Sequence, residues 1–363
     1  MLSYAELVAL EHSLRGRLTL SVYLDGEVAS PATRTAWRRR LEHALDDVRE
    51  SLAASAEVER AAFERSAAAL AEQLAPITGA LGSSGWAAFV SAEGVHFAGP
   101  LSVPVTNTVR WGLGARVVPL LRAVKLHRAA VVCVTDSRST RLLRYRRGRI
   151  ERLSSLKGFE RPEDSEIAVT VDQILDLASH DDWLVFGGSP ALATAMTAAL
   201  PPRVARRAVV MAPLPSLAGE FEIGQAAERA VGSLRRAYEA AMVDAVLVRS
   251  HAGGCSVASA ERTEWALRQG AVDELVLTRR FIDRQPELAE ALLRAAFDQG
   301  TLVEGLWSGA AERLDAVGGV GALLRPGHRT PAGGVPVVLD DVAPERPRIG
   351  VAIERAELTR PRL

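Results

Sequence analysis

The chain has 363 residues, of which 48% are hydrophobic, and its 44 basic residues are balanced by 44 acidic ones. This length predicts two or three domains, each large enough to bury a core without a disulfide or a structural metal. The sequence excludes a disulfide framework, because Cys133 and Cys255 lie far apart. The absence of an apolar run of about 18 residues, and of a signal-peptide pattern at the start, predicts a cytoplasmic protein with no membrane partner.

Residues 1–126 predict a first domain of mixed α+β character. An apolar β-rich run is typical of a buried strand, and the helical spacing of apolar residues after it indicates two amphipathic helices or one broken helix. The predicted elements are, in chain order, a short helix, the strand Leu18–Asp25, helices over 37–52 and 63–77, a hairpin over 86–100 with its tip at Glu93-Gly94, a strand over 103–112 and a helix over 117–125.

Residues 127–248 predict a second, α/β domain. Continuous apolar runs that alternate with helices are typical of a sheet buried on both faces. The predicted elements are the strand Ala129–Asp136, a hairpin over 138–152 with its turn at Arg147-Gly148, an irregular segment over 154–166, a helix over 169–179, a strand over 182–188, a helix over 191–200, a strand over 206–213 and a long helix from Gly219.

Residues 249–325 predict a third α/β domain, and residues 326–363 a Pro/Gly-rich tail. The predicted elements are a strand over 256–259, a helix from Ser259 to Gly270, a strand over 272–277, a helix over 286–300, a strand over 301–306, a final strand ending at Arg325 and, in the tail, at most one short strand at 335–340.

The sequence contains no zinc-protease spacing of histidines, no Walker A motif and no complete dinucleotide fingerprint, so we predict neither a metal nor a cofactor. Gly187-Gly188-Ser189 lies at a strand-to-helix turn. Its amides could bind an anion, or the glycines could be required by a tight turn. For the Asp181-Asp182 pair we favour a turn or helix-end role, because adjacent residues of an extended chain point to opposite sides.

The strongest charged feature is the hairpin after the first strand of the second domain. Its arginines could neutralise several phosphates, and its tyrosine could stack on a base. A solvated hairpin in an arginine-rich protein would look the same, so both interpretations stay open. The RNA-binding candidates are Arg138, Arg141, Arg144, Tyr145, Arg146, Arg147, Arg149 and Arg152.

Five segments, spread over roughly residues 18–325, occur in an order that resembles the bacterial archaeo-eukaryotic-type (class-I) peptide-release factors. They are LSVYLD before a charged helix, AAVVCVTDSRSTRLLRYRRGRIERL, WLVFGGSPALATAMTAALPPRV, SVASAERTEWALRQGAVDELVLTRR and VGGVGALLR. The resemblance implies three domains. The central one would be ribonuclease-H-like, and the C-terminal one would be an α/β sandwich similar to domain 3 of release factors and Pelota.

Archaeal and eukaryotic release factors hydrolyse peptidyl-tRNA with a Gly-Gly-Gln loop, and that motif is missing here. The loop should fall between Leu153 and the helix near Val171, where the chain is short and has one glycine, Gly158. Gln173 is the nearest glutamine, and it lies inside the helical pattern without a neighbouring glycine. We therefore assign no catalytic residue and keep Gln173 only as a weak candidate.

The leading hypothesis is a non-hydrolytic, ribosome-associated factor that binds idle or stalled ribosomes in place of tRNA. Some members of the resembled family that lack Gly-Gly-Gln, such as the ribosome-hibernation factor Balon, act in this way. The resemblance implies ribosomal RNA, and a translational GTPase, as partners. The alternatives are a peptidyl-tRNA hydrolase or tRNA nuclease, and a protein–protein scaffold in a stress pathway.

Overall fold

The computed structural model describes residues 2–27, 34–146, 148–159, 164–179, 181–211, 213–214, 218–250 and 254–330. The chain divides into two compact units, Met1–Ala241 and Met242–Leu363. The first unit contains two separate sheets and the second contains one. The strand Leu18–Asp25 has the predicted bounds, and the hairpin tip at Glu93-Gly94 is also confirmed.

The first sheet of unit one is antiparallel and carries helices on one face. Leu20, Val22 and Leu24 point to that face and pack with Phe63 and Leu70 in one core. The alternate residues of the strand reach the other face, as the two-residue repeat of a strand requires. The elements are α1 (Tyr4–Leu14), β1 (Leu18–Asp25), α2 (Ala36–Ser51), α3 (Glu57–Leu74), β2 (Gly85–Ser91), β3 (Gly94–Leu101), β4 (Thr108–Leu113) and α4 (Val118–Leu126), with the strand order β3-β2-β1-β4.

The second sheet of unit one has five strands in a mixed arrangement. The elements are β5 (Ala130–Thr135), β6 (Ser139–Arg146), β7 (Arg149–Lys157), α5 (Asp164–Leu177), β8 (Trp183–Gly188), α6 (Pro190–Ala198), α7 (Pro202–Ala205), β9 (Ala208–Val210) and α8 (Glu220–Arg249). The strand order is β7-β6-β5-β8-β9, with β5, β6 and β7 antiparallel in turn and β5, β8 and β9 parallel. This mixed five-stranded sheet agrees with the ribonuclease-H-like domain that the resemblance implied for the centre of the chain.

Both faces of the inner strands β5 and β8 of this central sheet are buried. Val131 and Leu184 pack with Ile174 of α5 and Met196 of α6 on one face. On the opposite face, the Trp183 ring contacts the Tyr238 ring of α8. The continuous apolar runs of β5 and β8 follow from this double burial, because every side chain of such a strand meets a covering element.

Unit two has a four-stranded sheet with the order β10-β13-β11-β12, in which only β11 and β12 pair in parallel. Helices pack against it, so the α/β architecture predicted for this region is confirmed. The elements are β10 (Ser256–Ala258), α9 (Ala260–Arg268), β11 (Val272–Thr278), α10 (Arg279–Arg284), α11 (Pro286–Asp298), β12 (Leu302–Leu306), α12 (Ala311–Asp315) and β13 (Val320–Leu324).

Some local predictions were wrong. The segment over 154–166 is not irregular throughout, since β7 continues to Lys157 and α5 begins at Asp164. The strand expected over 206–213 is only three residues long, and α7 precedes it. After β13 the chain returns to β10, where the Thr330 amide donates to the Gly254 carbonyl at 2.8 Å. The strand expected at 335–340 lies outside the described residues.

Candidate nucleic-acid interface

The arginines of the β6–β7 hairpin lie on two faces of the central sheet. Arg146 pairs with Arg149, and Arg144 pairs with Glu151, so these side chains share a face. Leu142 belongs to the core beneath α5 and α6, which identifies this as the α5 face. Arg141 and Arg152 occupy the opposite face, toward α8, because successive residues of a strand alternate between the two faces.

Arg141 and Arg144 form hydrogen bonds within the domain. The Arg141 guanidinium donates to the Ala218 carbonyl oxygen at 2.9 Å, just before α8. The Arg144 guanidinium donates to the Leu177 carbonyl oxygen at 2.7 Å, at the end of α5. Both side chains are half-buried, so each satisfies a helix-end or loop carbonyl and neither projects its charge into solvent.

Four arginines of the hairpin region remain exposed: Arg138, Arg146, Arg149 and Arg152. Arg152 lies 3.3 Å from the Glu220 carboxylate, in an ion pair that is about half exposed. Hydrogen bonds from Ser3 lower the pKa of Glu6, and the positive charge of Arg146 adds a smaller lowering. Arg147, at the turn, lies outside the described residues.

Tyr145 does not present a ring for stacking, contrary to the expectation from the sequence. Its side chain is 7% exposed, and burial raises the pKa of its phenol. The ring lies on the α8 face, where burial in the sheet prevents contact with a base. Phe221 is the exposed aromatic of this region, at 76%, but Glu220 and Glu222 flank it and disfavour RNA.

The Gly187-Gly188-Ser189 turn needs glycine for steric reasons. Gly188 has a φ of 89°, and a Cβ there would overlap the Thr135 carbonyl oxygen. The Ser189 amide donates to that same oxygen at 2.8 Å, so it is not available to an anion. Of the two interpretations left open by the sequence, the tight turn is confirmed.

The two aspartates before β8 have separate partners, as expected of neighbours on an extended chain, but the turn or helix-end role that we favoured for the pair holds for Asp182 and not for Asp181. The Asp182 carboxylate accepts from the Ser179 amide at 3.0 Å and closes the turn after α5. Burial is the main cause that raises the pKa of the Asp182 carboxyl. Asp181 instead accepts a hydrogen bond from the Lys125 ammonium at 3.1 Å, and the Arg128 guanidinium lies 2.6 Å from the same carboxylate.

Asp181, Lys125 and Arg128 form a buried ion cluster among aromatic rings. The side chains of the two cations are 5% and 2% exposed. Lys125 lies 4.2 Å from the ring centre of Tyr4, and Arg128 lies 4.3 Å from that of Trp183. The cluster therefore joins α1, α4, β5 and β8 at one end of the central sheet. Sequence reasoning did not predict it, because its members come from separate segments.

The connection between β7 and α5 is short. It spans residues 158–163, with the sequence GFERPE, between Lys157 and Asp164. The Gly158 amide donates to the Arg138 carbonyl at 3.1 Å, and the Phe159 amide donates to the Asp136 carbonyl at 3.2 Å. Residues 160–163 lie outside the description. Gln173 is exposed on α5, in mid-helix, as the sequence predicted.

Within the described ranges, no three histidine, cysteine or carboxylate side chains converge as metal ligands would. Among the helices described, none has both the length and the apolar character that crossing a membrane demands. Cys133 is buried, and burial raises the pKa of its thiol to about 12, so this thiol is not a nucleophile at neutral pH.

No protein-family model matches the chain, and no curated protein matches it. Among solved structures, the chain is similar to an archaeal translation termination factor, aRF1, with 17% identity over 89% of this chain and 98% of that one and a TM-score of 0.26. It is similar to Archaeoglobus fulgidus Pelota, with 20% identity over 66% and 79% of the two chains and a TM-score of 0.30. It is also similar to S. cerevisiae Dom34, described as a translation termination-like factor that interacts with Hbs1, with 10% identity over 56% and 64% and a TM-score of 0.41. Because each TM-score is below 0.5, the function of this chain has to be inferred from its own residues.

Proposed function

We propose that this protein is a cytoplasmic, ribosome-associated translation factor that occupies idle or stalled ribosomes in place of tRNA and does not hydrolyse peptidyl-tRNA. The six-residue connection after β7 carries this proposal. In the resembled family the catalytic loop would lie here, but GFERPE contains no glutamine and a single glycine. Three residues out and three back reach about 10 Å at most, which is too short for a loop that projects far from the domain.

The exposed arginines support the RNA-binding part of the proposal. Arg146 and Arg149 flank the hairpin turn at one edge of the central sheet, and both are solvent-exposed. Guanidinium groups in such a position can bind phosphate oxygens bidentately. We propose this turn as the RNA contact of the central domain, and we keep the division of the chain at 126/127, 248/249 and 325/326 as part of the same proposal.

The resemblance is the support for the remaining partners that we propose. By analogy with the family, the first domain would face the decoding region, and the third would offer a surface to a translational GTPase or to ribosomal RNA. A role in ribosome hibernation would follow if the bound ribosomes are idle ones. These assignments belong to the proposal and depend on the resemblance alone.

Ribosome pelleting tests the binding role. Purified protein should co-sediment with ribosomes at low salt and dissociate steeply as salt rises, because phosphate contacts release counterions. The double variant Arg146→Glu/Arg149→Glu should lose most of this binding. The matched control is Arg229→Glu/Arg236→Glu, which makes the same charge change on exposed positions of α8. Wild-type protein that stays in the supernatant at low salt would refute the proposal, and equal pelleting of both variants would favour a scaffold that does not use the hairpin.

A peptidyl-tRNA release assay tests the alternative enzyme. We expect no release above the buffer rate from the wild-type protein. If release occurs, the variant Gln173→Ala decides whether this exposed glutamine positions the water. Release that depends on Gln173 would replace the non-hydrolytic proposal with that of a hydrolase.

A further inference from the structure

The strand register aligns basic residues along one end of the central sheet. We call this the basal end; it is the end at which β5, β8 and β9 begin and β6 finishes. Tyr145 pairs with Ala130, and Ala130 pairs with Trp183. Leu184 pairs with Ala208, and its amide donates to the Arg207 carbonyl at 2.8 Å. One residue further toward the basal end, the register therefore reaches Arg149 and Arg146 on one side.

On the other side of the basal end, the same level of the register reaches Arg206, just before β9. Arg206 and Arg203, which lies on α7, are both exposed. Arg207 is half-buried and donates to the Asp182 carbonyl oxygen at 3.0 Å, which ties this segment to the start of β8. The segment after α6 thus brings a second pair of exposed arginines to the end of the sheet that carries the hairpin turn.

The acidic groups between the two pairs are shielded from solvent. Asp182 is 8% exposed and is engaged by the Ser179 amide. Asp181 is 9% exposed and is paired with both Lys125 and Arg128. On the hairpin side, the exposed Glu6 lies near Arg146, and the exposed Glu151 pairs with Arg144 on the same face. Asp181 and Asp182 therefore add little exposed negative charge between the two arginine pairs.

The spacing of the two pairs suits a nucleic-acid backbone. From β6 to β9 there are three strand intervals, so the pairs are separated by roughly 14 Å. A few nucleotides of RNA cover such a span. A single bound anion would contact only one pair, whereas a polyanion can contact both and release counterions at each.

We infer that Arg203 and Arg206 form a second phosphate-binding position, which acts together with Arg146 and Arg149 to hold an RNA backbone along the basal end of the central sheet. This inference rests on the RNA contact proposed for the hairpin turn and extends it to a segment more than fifty residues later in the sequence. The sequence alone gave no reason to join the two segments, since only the parallel addition of β8 and β9 brings them to one end.

Binding of a short fluorescein-labelled RNA hairpin, followed by anisotropy between roughly 50 and 200 mM salt, tests the inference. The variant Arg203→Glu/Arg206→Glu should weaken binding by about tenfold or more at the lower salt and should flatten the dependence on salt. The milder Arg203→Ala/Arg206→Ala should have an intermediate effect and guards against loss of folding. The control Arg229→Glu/Arg236→Glu carries the same charge change and should weaken binding by less than about threefold.

The inference is overturned if the Arg203/Arg206 variants bind like the control, or if wild-type protein shows no salt-dependent RNA binding. Ribosome pelleting of the same proteins separates it from the proposed function. RNA binding that depends on Arg203 and Arg206 without ribosome pelleting would sustain the inference and sink the proposed function. Pelleting that depends on Arg146 and Arg149 but not on Arg203 and Arg206 would sustain the proposed function and overturn the inference.

Discussion

Replacing Asp181 with asparagine should destabilise the first unit severely. The substitution keeps the shape of the side chain but removes the negative charge that lies 3.1 Å from Lys125 and 2.6 Å from Arg128. Two cations whose side chains are 5% and 2% exposed would then lose the carboxylate that both contact. Breaking a buried ion pair in this way costs about 3 to 5 kcal/mol, and here two cations lose the same charge partner.

Urea denaturation and hydrogen exchange would measure the loss. The free energy of unfolding of Asp181→Asn should fall by about 3 kcal/mol or more, and amides of β5 and β8 should lose protection. The control is Asp46→Asn, the same chemical change in an exposed ion pair in which Asp46 is 67% exposed and lies 2.8 Å from Arg49. The control should lose less than about 1 kcal/mol.

The reasoning would be refuted if Asp181→Asn behaved like Asp46→Asn. Such a result would mean that water reaches Lys125 and Arg128, or that these cations find other acceptors when Asp181 is neutral. Unchanged exchange protection in β5 and β8, together with a large loss elsewhere, would also contradict the location of the effect.

Three further substitutions have distinct expected outcomes. Gly188→Ala should lower the free energy of unfolding by roughly 3 kcal/mol or more in chemical denaturation, because φ is 89° and the added Cβ overlaps a carbonyl oxygen. The control Gly148→Ala, with a φ of 73° and open space around the added Cβ, should lower it by about 1 kcal/mol. Asp182→Asn should be neutral or stabilising at pH 7. Because the pKa of the Asp182 carboxyl is raised in the folded protein, its stabilising contribution is complete below the unfolded pKa and is lost as pH rises through the folded pKa. Denaturation at several pH values should therefore show a flatter pH dependence of stability for the variant than for wild type. Tyr145→Phe should leave RNA affinity within about twofold of wild type in the anisotropy assay, because the ring is 7% exposed; a larger loss would show that the phenol reaches the ligand.

The sequence predicted those elements whose pattern of residues is fully contained in one short segment of the chain. The apolar run Leu18–Asp25 and the turn at Glu93-Gly94 needed no tertiary information, because burial on both faces and turn chemistry are visible in the residues themselves. The resemblance implied a ribonuclease-H-like α/β domain in the centre of the chain, but the strand order β7-β6-β5-β8-β9 became visible only in the structure. The short helices α10 and α12 were missed, since each has no more than six residues and lacks a full amphipathic period.

The candidate site was less accessible to sequence reasoning. The hairpin β6–β7 was predicted, and the two-residue repeat of its strands divides the arginines between two faces, but the sequence does not show which carbonyl oxygens Arg141 and Arg144 meet there. The burial of Tyr145 depends on which face is covered, and that is a tertiary property. The alignment of Arg206 with Arg146 depends on the addition of a parallel strand, which joins segments distant in sequence.

The cluster around Asp181 also constrains how this protein can change over generations. Neutralising Asp181 alone removes the carboxylate that both cations share, whereas replacing Lys125 or Arg128 alone still leaves Asp181 with one cation. Replacement of all three by apolar side chains of similar volume could preserve or improve the fold. The order of replacement therefore matters, because a chain that loses Asp181 before its two cations passes through a poorly folded intermediate. In related chains we expect Asp181 to be lost only where Lys125 and Arg128 are lost as well, and an alignment in which it is lost alone would contradict this.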